Sequence, residues 1–189
     1  MIRLPVRRFL ASRLLAVAAV ALLAVLPFSA GAKSLDPENT LYMQLTYGRV
    51  VIQLRPDLAP NHVKRVKELT RAGFYDGLTF HRVIDGFMAQ GGDPRGDGTG
   101  GSDKPNLKAE FSKASFGRGA IGAARGEDVN TANSQFFICF ADCSFLDGQY
   151  TLWGQVVEGM EFVDRLKRGE PPANPDKIVK MQVAADVKS

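Results

Sequence analysis

Between Leu41 and Ala184 the chain is divided into short apolar segments, each long enough for only one or two β-strands. Turn-forming residues separate them: residues 41–54 predict a hairpin around Gly48, and Asp85-Gly86 lies between the strand-like segments 78–84 and 87–92. Further strands are predicted at 120–125, 134–140, 151–157 and 177–184. Many short strands leave exposed edges unless the sheet closes on itself. The pattern therefore predicts a mainly β domain built as a closed barrel.

Two segments have helical rather than alternating periodicity. Pro60 suits the first turn of a helix, and apolar residues recur at a spacing of three until Gly73. A second helix is predicted from Met160 to Gly169, with Leu166 on its apolar face. In the last predicted strand Val179, Met181 and Val183 alternate with polar residues, which predicts that all three face the same side. We therefore expect two helices to cap the barrel.

The first 32 residues have the composition of a secretory leader. Four arginines and no acid precede the apolar run 14–26, and small residues follow at Ala30 and Ala32. The run is short for a membrane-spanning helix. We expect Sec-type export, cleavage after Ala32 and a periplasmic product, residues 33–189, with no stable membrane association. An uncleaved membrane anchor is the alternative.

Removing the leader abolishes the apparent basicity of the chain. The full chain has 24 basic and 20 acidic residues, and four of the arginines lie in the leader, so the remainder has 24 − 4 = 20 bases against 20 acids. A basic surface would suggest nucleic-acid binding, and this balance removes that argument. The 157 residues that remain (189 − 32) are enough for one domain, which we expect to be a monomer with no nucleic-acid partner.

The motifs that point to a function lie between Phe74 and Val156. The sequence FYDGLTFHRVIDGFMAQGGD occupies 74–93 and is followed by GDGTGG at 96–101, NSQFFICFAD at 133–142 and FLDGQYTLWGQV at 145–156. In content and order these segments resemble the cyclophilin family of peptidyl-prolyl cis/trans isomerases, and the resemblance extends from Thr40 to Ala184. It implies an eight-stranded antiparallel β-barrel capped by two helices, a proline-containing polypeptide as partner, and no cofactor or metal.

The resemblance also implies which residues form the site. Arg82 matches the catalytic arginine by its place in F-H-R, and its guanidinium is a rigid, always charged donor. We expect Gln90 to orient Arg82 or to bind the substrate backbone, and the backbone of 124–126 to pair with the peptide as an exposed strand edge. The remaining substrate-binding residues that it implies are Phe87, Met88, Ala124, Arg125, Phe137, Phe145, Leu146 and Tyr150.

The chain departs from many eukaryotic members at three of these positions. Arg125 stands where asparagine is common, but its backbone can still serve. Phe145 stands in place of a tryptophan and Tyr150 in place of a histidine. None of these positions carries out bond rotation, so we expect activity to survive. Cyclosporin-type binding is expected to be weak, since phenylalanine lacks the indole N–H donor.

Other features of the sequence carry no chemistry of their own. Residues 96–101 lack the G-K-[ST] of a phosphate loop, and Asp93 and Asp97 lack the further ligands of a calcium loop. His81 is expected to be buried and hydrogen-bonded, and His62 to lie on a helix surface. Cys139 and Cys143 have a C-x-x-x-C spacing, unlike thiol oxidoreductases. A thiol redox factor stays open as an alternative, as does a non-catalytic proline-peptide binding module, although such modules typically lose the arginine or a pocket residue.

Overall fold

The computed structural model describes residues 35–188 of the chain. The predicted leader, its cleavage site and the alternative membrane anchor lie in 1–34, outside the described residues. Among those that are described, no helix has both the length and the apolar character needed to cross a membrane.

The described residues form eight strands and two α-helices, as expected from the resemblance. The strands are β1 (Thr40–Leu45), β2 (Gly48–Leu54), β3 (Arg82–Ile84), β4 (Met88–Gly91), β5 (Ala120–Ala123), β6 (Phe136–Cys139), β7 (Leu152–Glu158) and β8 (Ile178–Val183). The helices are α1 (Pro60–Arg71) and α2 (Met160–Val163), and single 3₁₀ turns occur at Pro37–Asn39, Ser144–Leu146 and Ala184–Asp186. The prediction of a mainly β fold is confirmed.

All eight strands belong to one curled antiparallel sheet in the order β3-β4-β6-β5-β7-β2-β1-β8. The expected closed barrel is corrected to a half-barrel, because the edge strands β3 and β8 do not form a continuous ladder. β3 is too short for one: contact is limited to the segment before it, where an isolated bridge joins Thr79 to Lys177. There the N–H of Phe80 donates to the carbonyl of Asp176 at 2.9 Å.

The turn between β3 and β4 aligns two residues of the predicted site. Gly86 has φ +68°, a left-handed conformation that suits glycine. The resulting register pairs Arg82 with Gln90 and Ile84 with Met88. Side chains of directly paired residues share a face of the sheet, so Arg82 and Gln90 emerge on the same side.

The first helix is confirmed and the second is shorter than predicted. α1 begins at Pro60 and buries Val63, Val66 and Leu69 against the sheet. α2 ends at Val163, although a helix to Gly169 was expected. The N–H of Lys167, which a longer helix would pair with the carbonyl of Val163, donates instead to the carboxylate of Asp176 at 2.9 Å, and the guanidinium of Arg168 donates to the carbonyls of Asp164 and Leu166.

A bulge in β8 overturns the predicted alternation of that strand. Gln44 pairs with Lys180 but Leu45 pairs with Ile178, so Val179 has no partner in β1. The extra residue turns Ile178 inward and leaves Val179 54% exposed. Met181 and Val183 face the core as expected.

The buried apolar residues fall into two clusters separated by the sheet. The larger core cluster includes Phe136, Ile138 and Trp153. The smaller cluster is built from Met88, Phe116, Ala120, Phe137, Cys139, Cys143, Leu146 and Leu152. We call this second group the outer cluster. Since side chains alternate along a strand, β6 contributes Phe136 and Ile138 to the core and Phe137 to the outer cluster.

Candidate active site

A pocket of about 250 Å³ opens above the outer cluster. It is lined by all the residues that the resemblance implied except Phe145: Arg82, Phe87, Met88, Gln90, Ala124, Arg125, Phe137, Leu146 and Tyr150. These residues come from segments far apart in the sequence. The sheet and its connecting loops bring them together.

Strand register explains the floor of the pocket. Gln90 lies opposite Phe137 in the β4–β6 ladder, and Met88 lies opposite Cys139, so their side chains share the outer face. Met88 is 2% exposed and Phe137 5%. Leu146 joins them from the 3₁₀ turn that follows β6. The floor is therefore apolar and largely buried.

Aromatic packing fixes the shape of this floor. The ring of Phe137 stacks on Phe116, with centroids 5.7 Å apart and an interplanar angle of 26°. Tyr150 meets the same ring edge-on, also at 5.7 Å and at 86°. Offset-stacked and edge-to-face arrangements are the favoured aromatic geometries. The result is a preformed slot suited to a small apolar ring.

Arg82 stands at the polar side of the slot within a chain of hydrogen bonds. Its Nε donates to Oε2 of Glu170 at 2.7 Å, and its Nη1 lies 3.4 Å from Oε1 of Gln90. Gln90 Nε2 in turn donates to Oε1 of Gln135 at 2.9 Å. Gln135 Nε2 donates to the carbonyl of Gly100 at 2.8 Å. This network links the guanidinium to the glycine-rich segment.

The segment 124–126 lies just beyond the end of β5, and the N–H of Ala124 donates to the carbonyl of Gln135 at 3.0 Å. Its pairing with a peptide main chain stays a prediction. The side chain of Arg125 folds back along the segment. The guanidinium donates to the carbonyls of Gly126 and Gln149 at 2.8 and 3.1 Å. Its Cζ also lies 4.4 Å from the centre of the Tyr150 ring, within cation–π range. Arg125 thus ties together two loops that form the wall of the pocket.

Phe145 lies at the rim and does not line the pocket. It shares a 3₁₀ turn with Leu146, and successive side chains of such a turn point in different directions. Leu146 consequently faces inward, while Phe145 is 62% exposed. The Phe145 ring contacts Phe87, with centroids 5.4 Å apart. Phe145 can therefore touch only a ligand that extends beyond the slot.

A second, larger cavity of about 460 Å³ adjoins the slot and shares Gln90, Ala124 and Arg125 with it. Its other walls include the glycine-rich segment 98–102. Asp93 holds that segment: its buried carboxylate accepts the backbone N–H groups of Arg95 and Gly98 at 2.8 and 2.6 Å. Burial by itself would raise the pKa of Asp93, but these backbone donors hold it below its usual value.

The expectation for His81 is half right and that for His62 is wrong. His81 is buried, but neither ring nitrogen has a hydrogen-bond partner among the described residues. Burial lowers its pKa, opposed by the nearby Asp93 and Asp97 and aided by Arg82. His62 is 2% exposed because the loop before β5 folds over α1, placing Oε2 of Glu110 2.6 Å from its Nδ1.

Neither a metal nor a reactive thiol is suggested by the described residues. Residues 35–188 contain no group of three or more histidine, cysteine or acidic side chains placed to hold a metal ion. Cys139 and Cys143 are fully buried free thiols, and burial raises the pKa of both. A raised pKa disfavours the thiolate that redox exchange requires.

Two residues of the network escaped the sequence reasoning. Gln135 lies inside the quoted motif at 133–142 and could have been found there, because it lies two positions before Phe137 and alternation places both on the same face. Glu170 lies outside every motif, 88 positions from Arg82. No sequence signal marks it.

Comparisons with known proteins agree with this geometry. The family model described as cyclophilin type peptidyl-prolyl cis-trans isomerase/CLD matches residues 40–183. A probable peptidyl-prolyl cis-trans isomerase of Brucella suis biovar 1 is 51% identical over 173 residues, which cover 83% of this chain and 88% of the relative. A peptidyl-prolyl cis-trans isomerase of Helicobacter pylori is 41% identical over 127 residues, 65% of this chain and 77% of the relative.

Solved structures show the same fold. Cyclophilin AquaCyp293 from Hirschia baltica superposes with a TM-score of 0.77 at 29% identity, covering 82% of this chain and 77% of that one. A Cryptosporidium parvum cyclophilin-type peptidyl-prolyl cis-trans isomerase, crystallised in the presence of the dipeptide Ala-Pro, gives a TM-score of 0.71 at 27% identity. That match covers 76% of this chain and 98% of the other.

Proposed function

The chain belongs to the cyclophilin-type family of peptidyl-prolyl cis-trans isomerases, and we propose that Arg82 promotes bond rotation in exported, proline-containing polypeptides. The observation that carries the proposal is the position of a charged donor beside a pocket with an apolar floor. The enzymatic activity follows from the family. The role of each residue and the destination of the chain are the proposed part.

Rotation about an X-Pro bond requires no covalent chemistry. The barrier to peptide rotation is about 18–20 kcal/mol, because resonance gives the C–N bond partial double-bond character. Both isomers are close in energy but exchange over tens of seconds or longer. An enzyme need only bind the twisted amide more tightly than either planar form. No nucleophile or redox centre is needed for that.

The slot can bind the proline ring, and the guanidinium can donate a hydrogen bond to the twisted amide. Met88, Phe137 and Leu146 offer an apolar surface for the proline ring. When the amide twists, resonance is lost and the prolyl nitrogen gains a lone pair that can accept a hydrogen bond. Arg82, fixed at the edge of the slot, can donate to that nitrogen or to the substrate carbonyl. Such an interaction is stronger in the transition state than in the ground state, so it lowers the barrier.

The test compares the wild type with Arg82→Ala in a proline-limited peptide isomerisation assay. We expect kcat/KM to fall at least about tenfold with the fold retained. Arg55→Ala is a matched control, since Arg55 is also an exposed arginine paired with a carboxylate, that of Asp57, but lies away from the pocket. A folded Arg82→Ala protein with wild-type activity would remove Arg82 from the mechanism.

A non-catalytic binding module on the same fold is the competing proposal. It predicts that proline peptides bind but that their isomerisation is not accelerated by either protein. The same assay, paired with a peptide-binding titration, distinguishes the two functions. The presence of both the arginine and a complete slot supports the enzyme.

Export rests on the sequence of residues 1–32 alone. The basic start, the apolar run and the A-x-A site support a periplasmic enzyme that assists the folding of exported proteins, for which X-Pro isomerisation is a slow step. Expression of the full chain in a Gram-negative host, followed by fractionation and N-terminal sequencing, tests this. We expect a periplasmic product that begins at Lys33. An uncleaved product in the membrane fraction would support the anchor instead.

A further inference from the structure

Glu170 makes the shortest contact of the Arg82 guanidinium. The distance from Nε to Oε2 is 2.7 Å, against 3.4 Å from Nη1 to Oε1 of Gln90. Charge-assisted hydrogen bonds of this length are among the strongest in proteins. Two of the three guanidinium nitrogens are thus held, and Nη2 makes no hydrogen bond to residues 35–188.

The backbone presents Glu170 to Arg82 in a fixed way. Gly169 and Val83 exchange both backbone hydrogen bonds, at 2.8 and 2.9 Å, so the residue before Glu170 is anchored to β3 itself. Pro171 and Pro172 follow it. A proline restricts the residue before it to extended conformations and has a fixed φ of its own. The carboxylate therefore has little freedom except in its own side chain.

We infer that Glu170 is a positioning residue for the isomerase reaction. It holds Arg82 through Nε so that the terminal nitrogens face the slot. The inference rests on the proposed role of Arg82. A free arginine side chain samples many rotamers, and each donor that is preorganised toward the transition state avoids an ordering cost during the reaction. Without Glu170, the guanidinium would still be present but less often in the productive orientation.

The same contact would act in the opposite way if it competed with the substrate for Arg82. The two roles predict opposite effects of removing the carboxylate. Loss of a positioning residue lowers kcat, whereas loss of a competitor raises kcat/KM. A purely structural role is distinguishable as well: the side chains are 41% and 52% exposed, and ion pairs at such exposure contribute little to stability.

The experiment measures kcat and KM separately, by NMR exchange on an Ala-Pro-containing peptide, for wild type, Glu170→Ala, Glu170→Gln and Glu170→Asp. We expect Glu170→Ala to lower kcat about three- to tenfold, with KM within about twofold and the melting temperature nearly unchanged. Glu170→Gln, which keeps an acceptor but not the charge, should be intermediate, as should the shorter Glu170→Asp. The Nε–H signal of Arg82 should lose its protection from exchange in Glu170→Ala.

Asp85→Asn is the matched control. It breaks the Asp85–Arg168 ion pair, whose 2.9 Å contact lies in the same part of the fold but does not involve Arg82. We expect it to leave kcat unchanged. Wild-type kcat in Glu170→Ala, or a rise in kcat/KM, would overturn the inference.

A double variant separates failure of this inference from failure of the proposed function. If Glu170 acts through Arg82, Arg82→Ala with Glu170→Ala should be no slower than Arg82→Ala alone. A further loss in the double variant would show that Glu170 acts by another route and would refute the inference. If instead Arg82→Ala alone is fully active, the role proposed for Arg82 fails first.

Discussion

Replacing Gly122 should change the shape of the slot, although Gly122 itself does not line the slot. A methyl group on Gly122 would lie 2.7 Å from Cε1 of Phe116 and closer still to Cζ of Phe137. Ordinary carbon contacts are about 3.5–4.0 Å, so at least one ring must move by about 1 Å. Overpacking of this kind costs about 1–3 kcal/mol. For a domain of this size the melting temperature should therefore fall by about 2–12 °C.

Activity should fall together with stability, because the displaced ring is the floor of the slot. The assay is thermal unfolding followed by the proline-limited peptide assay below the melting temperature, in which we expect Gly122→Ala to lose at least about threefold in kcat/KM. Gly117→Ala is the control, since a methyl there meets nothing within 4 Å. In a double-mutant cycle, Phe137→Leu should relieve part of the Gly122→Ala penalty. Wild-type stability and activity in Gly122→Ala would refute the reasoning.

Three further predictions concern inhibition, chemistry and pH. Cyclosporin should bind the wild type weakly and Phe145→Trp up to about tenfold more tightly, since one added donor is worth about 0.5–1.5 kcal/mol; tight wild-type inhibition in a titration would contradict this. Thiol alkylation should leave the isomerisation rate unchanged, because Cys139 and Cys143 are buried with raised pKa values. EDTA should also leave it unchanged, because residues 35–188 hold no group of side chains placed to bind a metal; a rate abolished by chelation and restored by added metal would show otherwise. Burial lowers the pKa of His81 in the folded state, so the unfolded state binds more protons and the free energy of unfolding should fall as pH drops below about 6.5. Urea unfolding at pH 7.5 and 5.5 should show a smaller fall in His81→Gln, and an equal fall in both proteins would exclude His81 as a cause.

Local patterns were sufficient for most of the fold. Turn chemistry at Asp85-Gly86 and helical spacing after Pro60 predicted elements that the structure has. The bulge at Val179 and the early end of α2 were missed for a common reason. Each depends on a partner elsewhere: β1 sets the bulge, and the carboxylate of Asp176 takes the backbone N–H of Lys167 beyond α2. Alternation within one segment cannot show either partner.

Most residues of the candidate site were also predicted from the sequence. Resemblance grouped residues that in the structure line one slot, and their individual roles stay predictions. It could not show that Phe145 turns outward, because this depends on the 3₁₀ turn that Phe145 shares with Leu146. It also could not show Glu170. This residue contacts Arg82 directly, but it is brought there by the bridge between Val83 and Gly169, which are far apart in the sequence.

The pleat of β6 has a consequence for how such a scaffold can diversify. Phe136 and Ile138 support the barrel interior, while Phe137, their neighbour in the chain, shapes the ligand slot on the other side. A substitution at Phe137 therefore alters what the slot recognises while leaving the packing of Phe136 and Ile138 in place. New preferences can accumulate one residue at a time, without each change first having to be tolerated by the folding core.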